Sequence, residues 1–210
     1  EVTAGAGVPL LLPAAADPGI YELGHRHVFG LAVPAAAYMS DALGRLSAAG
    51  ARSVAVILGE AEASQSICAA AAEHASGLGL EVLGSFHIAG DEIALGMRRL
   101  ARGARPDVLV GCGYLRDAAL FVVSARALGF EPRAVLLTQA AHPDFVAAVG
   151  ARNADWACAP VAWTRELGDE FCSRPGAACI GFANGSDFTA AYVSAFGEEP
   201  QYQAAAAAGA

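Results

Sequence analysis

Val54-Ala-Val-Ile-Leu58 is an unbroken apolar run of strand length, followed by a helix-length segment from Ala63 to Leu78 that stops at Gly79. A strand that is apolar at every position is buried on both faces, as in a parallel sheet whose crossover helices cover each side. The alternation then repeats. Glu81-Val-Leu83 with Phe86, Val108-Leu-Val110 after Pro106-Asp107, Ala134-Val-Leu-Leu137 and Trp156-Ala-Cys158 read as strands. Between them, Ile93 to Ala101, Leu115 to Leu128 and Pro143 to Val149 read as helices, with Leu115, Ala118, Ala119, Val122 and Val123 on one face of the second. A helix from Ala35 to Ala49 leads into the series, with Pro34 in its first turn and Gly50 as its stop. The pattern restricts this stretch to α/β architecture made of βαβ units.

Two regions fall outside the series. Residues 8–12 and 27–31 read as strands and Gly185 to Phe196 as a helix, all without complementary strands. The expected organisation is one nearly complete lobe over 34–160, with parts of another lobe at 1–33 and 161–210. The second lobe is cut short by the end of the chain. The Ala-rich run from Gln203 to Ala210 reads as the start of a helix. No uncharged apolar stretch is long enough to span a bilayer, and no secretory leader pattern precedes the first strand. Any export signal has therefore been removed or never existed. A formal charge of −8 argues against nucleic acid as a partner. Every basic residue but histidine is Arg, which together with the abundant Ala reads as a nucleotide-composition bias.

Five cysteines divide into two groups. Cys68, Cys112 and Cys158 sit in apolar patterns and are expected to be buried as small hydrophobes. Cys172 and Cys179 flank a segment beginning Ser-Arg-Pro-Gly, a turn that a disulfide can close in an oxidising compartment. There is no CxxC, so zinc has no support.

In open parallel sheets the ligand lies beyond the carboxyl ends of the strands. The positions to watch are therefore Gly59 to Ser64, Phe86-His87, Gly111 to Tyr114 and Thr138 to His142. Gly113 lets backbone approach a ligand closely, and Tyr114 is either a contact or a ring packed on a helix N-terminus. Gly111-Cys-Gly113 lacks the third glycine of a dinucleotide fingerprint. Ser64 and Ser66 lack a nucleophile elbow. Asp144, beside His142, reads as a first-turn acid of the helix begun by Pro143. His25 and His27 alternate around Arg26 without a third ligand nearby, and Trp156 and Trp163 read as core or hinge residues. Asn184-Gly-Ser186 fits a glycosylation sequon but reads better as a turn.

The ordered set of segments resembles the type 1 periplasmic-binding family, in the branch of the branched-chain amino-acid binding proteins of ABC importers. It runs through Val8-Pro9 to Pro13-Ala-Ala-Ala16-Asp-Pro18, Tyr21-Glu22, Val28-Phe29-Gly30 and Pro34. Val54 to Ile57, Pro106-Asp107, Gly113, Pro143-Asp-Phe145 and Trp163 continue it, and Phe188 to Tyr192, Phe196-Gly197 and Pro200-Gln-Tyr202 complete it. The resemblance implies a two-lobed α/β fold with parallel Rossmann-like sheets, one lobe nearly complete and one partial. It implies a small solute held in an interlobe cleft that closes by hinge motion. The family's small-residue turn after the first strand corresponds to Ala14, Ala15 and Ala16, without the hydroxyl that usually ends it. Ala63, beside Ser64, stands where an aromatic is expected. Thr138 and Gln139 stand where relatives carry an acid, and Tyr202 falls in a segment that lines the cleft. These departures favour a neutral, carboxylate-only or aromatic solute over an α-amino acid.

The resemblance further implies no enzymatic activity, no cofactor, no metal, and an ABC permease as membrane partner. It implies a periplasmic or extracellular location, with a lipid anchor as one option. A ligand-sensing domain of a regulator is the first alternative and an α/β enzyme the second.

Overall fold

The computed structural model describes residues 5–13, 15–59, 61–87, 92–103, 105–177, 179 and 181–208. The chain divides into two compact units, one formed by Glu1–Pro34 with Val161–Ala210 and the other by Ala35–Pro160.

In the contiguous unit, the apolar runs become β3 (Ser53–Leu58), β4 (Glu81–His87), β5 (Val108–Cys112), β6 (Ala134–Leu137) and β7 (Ala157–Cys158). They form one parallel five-stranded sheet in the order β4-β3-β5-β6-β7. The helices are α2 (Ser40–Ala48), α3 (Glu62–Gly77), α4 (Glu92–Arg102), α5 (Leu115–Ala127), α6 (Phe145–Val149) and α7 (Ala151–Ala154).

Alternate residues of each strand enter different cores. Val54, Val56 and Leu58 join Val108 and Val110 on the face covered by Leu43 of α2 and by Cys68, Ala71 and Ala75 of α3. Ala55 and Ile57 join Leu109, Val135 and Leu137 on the other face, under Met97, Leu100, Phe121 and Phe145. Each fully buried Val, Leu or Phe contributes about 1.5–3 kcal/mol, so both helical layers are needed to seal the sheet. At its amino end, Asp107 fixes the β3–β5 pairing: its carboxylate accepts from the amides of Arg52 (2.7 Å) and Ser53 (3.3 Å), while its own amide donates to Ser53 Oγ (3.1 Å).

The discontinuous unit holds β1 (Leu10–Leu12), α1 (Pro18–Glu22), β2 (Val28–Gly30), α8 (Arg165–Cys172), α9 (Gly185–Phe196) and α10 (Tyr202–Ala208). Phe188 is its aromatic hub, edge-on to Trp163 at 5.4 Å and to Phe182 at 5.1 Å. Asn184 caps α9 by accepting from Asp187 N–H at 2.8 Å, which is the turn role read for the sequon. A disulfide joins Cys172 to Cys179.

Several local expectations change. β1 and β2 do have complementary strands, since they pair with each other in parallel, Leu10 opposite Val28. Cys68 and Cys112 are buried, but they are bonded to each other, with Cα atoms 5.8 Å apart. Sequence spacing alone cannot show that a helix and a strand end bring two thiols together. Cys158 is a free, exposed thiol on the edge strand. Helix α6 starts two residues after Pro143, so Asp144 is its cap residue. In α5, Phe121 and Ala125 share the buried face with Ala118 and Val122, while Val123 is exposed. Trp156 is 74% exposed rather than core, in the left-handed region at φ 62°.

In the discontinuous unit, Asp169 of α8 accepts from Ser186 N–H (2.8 Å) and Ser186 Oγ–H (2.6 Å), tying α8 to the first turn of α9. These hydrogen bonds, the hydroxyl's foremost, hold the Asp169 carboxyl below its ordinary pKa. A depressed folded pKa contributes stability that is fully present above the unfolded value and is lost as pH falls through the folded one. The Tm difference between wild type and Asp169→Asn should therefore be constant above about pH 5 and shrink below about pH 4. A difference that does not shrink in acid would show that the carboxylate charge contributes nothing to the tie.

Candidate functional site

The strand order reverses between β3 and β5. From β3 the chain crosses through α3 on one face, and from β5 it crosses through α5 on the other. With the two following helices on opposite faces, this is the switch point beyond whose strand carboxyl ends open α/β sheets take their ligands.

Backbone comes close to backbone on that rim. Gly59 N–H donates to Cys112 O at 2.7 Å, and a Cβ at Gly59 would lie 2.7 Å from the same oxygen and 3.1 Å from Gly113 Cα. The same imagined Cβ is 3.4 Å from Ser64 Cβ, which places Ser64 of α3 behind Gly59. Ser64 is buried and Ala63 beside it is exposed.

Beside Gly59, Gly113 follows β5 with no room for a side chain: a Cβ would lie 2.7 Å from both Cβ and Oδ2 of Asp117. The Asp117 carboxylate accepts from Tyr114 N–H at 3.0 Å and so holds the entry to α5. Tyr114 is 67% exposed, so its ring is presented to solvent and is not packed on the helix end. Sequence reasoning missed Asp117, although an acid at the third helical position of α5 is the usual signature of such a cap.

Thr138, the first residue after β6, binds Gly113 twice. Its Oγ1 accepts from Gly113 N–H at 3.0 Å and donates to Gly113 O at 2.7 Å. Gln139 follows in the same turn, half-buried. The structure thus brings together Ser64, Gly113, Tyr114 and Thr138 around one strand-end rim, with Ala63 and Gln139 beside it.

The remaining expected residues lie in the other unit. Ala15 and Ala16 follow β1, and the Ala15 carbonyl accepts from the Tyr21 hydroxyl at 2.6 Å. Ala14 lies outside the described residues. Tyr202 opens α10, and burial raises the pKa of its phenol.

The rim presents small residues, hydroxyls and one exposed aromatic ring; its one described carboxylate, Asp117, is engaged in the helix cap. Among the described residues no nucleophile–base pair forms here. His142 Nδ1 accepts from Asp144 N–H at 3.2 Å, so that nitrogen is occupied as an acceptor. Among the described residues no cluster of three His, Cys, Asp or Glu side chains could hold a metal.

Two cavities lie elsewhere. One of about 520 Å³, lined by Trp163, Phe171, Phe182 and Phe188, belongs to the discontinuous unit. Another of about 730 Å³ lies at the amino end of β6 and β7, beside Arg126, Arg152 and Trp156. Neither includes a rim residue, and the chemistry follows the strand ends and not the cavity volumes.

A family model described as periplasmic binding protein matches residues 1–210. Among solved structures, a putative branched-chain amino acid ABC transporter protein from Rhodospirillum rubrum is similar at 20% identity, with a TM-score of 0.76 over 98% of this chain and 55% of its own. A leucine binding protein from Thermotoga maritima is similar at 21% identity, TM-score 0.71, over 98% of this chain and 55% of that one. A Rhodopseudomonas palustris solute binding protein in complex with benzoate is similar at 15% identity, TM-score 0.66, over 98% and 53%. The chain thus spans about half the length of these solved relatives. No curated protein matches it. Among the described residues no helix is long and apolar enough to cross a membrane.

Proposed function

This chain belongs to the periplasmic binding protein family, and from that premise we propose that it is part of a solute receptor that delivers a small molecule to the permease of an ABC importer. The reading rests above all on the β3–β5 switch point, where glycine backbone lies beside the exposed ring of Tyr114. Ser64, Ala63, Gly113, Tyr114 and Gln139 form one side of the site. Ala14, Ala15, Ala16 and Tyr202, in the discontinuous unit, are the further contacts that this reading proposes for the solute. The protein works in the periplasm or outside the cell, where Cys172–Cys179 and Cys68–Cys112 persist as disulfides. It binds without turning its ligand over, a reading supported by the lack of a nucleophile with a base in reach among the described rim residues.

The ligand class follows from charge. An ammonium buried without a counter-charge is costly, and the Asp117 carboxylate beside Tyr114 is engaged in the helix cap. Backbone amides at the alanine turn suit an anionic or polar oxygen. The ligand is therefore a carboxylate or a neutral solute, with an apolar or aromatic part against Tyr114. Solved relatives have been captured with benzoate, 3,4-dihydroxybenzoic acid and leucine, so the family spans both chemistries.

Calorimetry on the full-length protein with benzoate, 3,4-dihydroxybenzoate, leucine and valine tests this. An aromatic carboxylate should bind more tightly than either amino acid, and Tyr114→Ala should weaken binding at least about tenfold, or about 1.4 kcal/mol. Tight leucine or valine binding would refute the ligand class, and an unchanged affinity in the Tyr114 variant would refute the site.

A further inference from the structure

We infer that Thr138 is a positioning residue that sets the Gly113–Tyr114 turn, and not a ligand contact. The inference deepens the proposed solute site and rests on that reading for its binding consequence. Its geometric basis is independent.

A threonine hydroxyl has one proton and two lone pairs. At Thr138 the proton goes to Gly113 O at 2.7 Å, and one lone pair receives Gly113 N–H at 3.0 Å. The Thr138 amide is used as well, donating to Gly111 O at 3.2 Å. All the donors of Thr138 are thus committed to β5, and a solute carboxylate would find no proton here to accept.

The reciprocal pair spans a single residue, which makes it a clamp. Gly113 lies past the last regular ladder pairing of β5 with β6, Gly111 opposite Leu137. Its amide and carbonyl therefore have no strand partner on the β6 side, and the hydroxyl supplies both bonds. Gly113 is buried, so without the hydroxyl both groups would be left unpaired away from water. Gly113 is also anchored from behind, because Cys112 is bonded to Cys68 of α3. The residue after it, Tyr114, is the exposed ring of the rim, its amide held by Asp117. The turn that presents Tyr114 is thereby fixed on the β6 side by Thr138, on the α3 side by the disulfide and on the α5 side by Asp117. A preorganised contact avoids the ordering cost that a loose turn would incur on binding.

Thr138→Val keeps the shape of the side chain and removes both hydroxyl bonds, whereas Thr138→Ser keeps both. In the full-length protein, amide exchange at Gly113 should accelerate at least about tenfold in the valine variant and return to near wild type in the serine variant, since only the hydroxyl protects it. Affinity for benzoate or leucine, whichever the wild type binds, should fall several-fold with valine and recover with serine. Gly113 exchange unchanged by valine, or serine as damaging as valine, would overturn the clamp. Faster exchange with undiminished affinity would overturn its role in positioning the ligand contact. Failure of the wild type to bind either probe would count against the proposed ligand class, while the exchange measurement would still decide the clamp.

Discussion

Replacing Cys68 and Cys112 together by alanine is expected to lower the unfolding free energy by about 4 kcal/mol, since the bridge closes a loop with a sequence separation of 44. The effect comes chiefly from the denatured chain, which regains the freedom that the cross-link removes. The Cys172–Cys179 bridge, with a separation of only 7, should contribute about 2 kcal/mol on the same reasoning. Urea denaturation of the full-length protein without reductant, run on each double variant, measures both. A loss under about 1 kcal/mol for the Cys68/Cys112 variant would contradict the bridge's stabilising role. Thiol titration of the denatured, unreduced wild type adds a direct check, because Cys158 is the free cysteine that the described residues leave.

Phe121→Ala should cost about 3–5 kcal/mol, the range for removing a fully enclosed aromatic ring. Phe121 is 0% exposed on α5, and an imagined Cβ at Gly111 would come within 3.3 Å of its ring and 2.8 Å of Leu137 Cδ2. The missing side chain at Gly111 is thus the space in which the ring and Leu137 pack against β5. Leu120, the preceding residue, is 42% exposed and serves as the control. Leu120→Ala should cost well under half as much, because much of its side chain is already in water. Equal losses in the two variants would mean that α5 does not bury the face described here.

Why this fold was readable follows from those same residues. Val54 to Leu58 is apolar at every position because β3 is central and both its faces are sealed, so hydropathy carried the assignment without help from turns. The run at 134–137 and the helix at 185–196 were delimited to the residue for a similar reason: strong signals, Pro132 ahead of one and Asn184 and Gly197 around the other, bound them. The short α8 was not read from sequence, because its eight residues show only a brief apolar face at Leu167 and Phe171. The pairing of β1 with β2 was also hidden, since a partner strand leaves no mark on a three-residue run.

The strand-end rim was legible in outline. A parallel strand order places Gly59, Gly113 and Thr138 at one end of the sheet, and residue type marked Tyr114 as the side chain to watch. Roles were harder to read. A hydroxyl after a strand looks the same in sequence whether it faces a ligand or, as Thr138 does, returns to the backbone of the neighbouring strand. The Cys68–Cys112 bond is a long-range contact of the same kind, set by the packing of α3 on β5.

The division into a contiguous unit and one assembled from two distant stretches has a bearing on synthesis. As the chain leaves the ribosome, β1 and β2 are made before the contiguous unit and before α8 to α10. The stretch carrying α8 to α10 is still untranslated. Ala35–Pro160 can meanwhile fold on its own βαβ contacts, and domains formed from contiguous sequence complete as units during translation. Once folded, it replaces a long flexible loop by a compact insert and reduces the entropy lost when Val161–Ala210 joins Glu1–Pro34. Until then β1 and β2 lack the helices of their own unit, and uncovered strand edges are open to pairing with another copy. That interval, after β2 has emerged and before α9 has been made, is when a chaperone has most to hold.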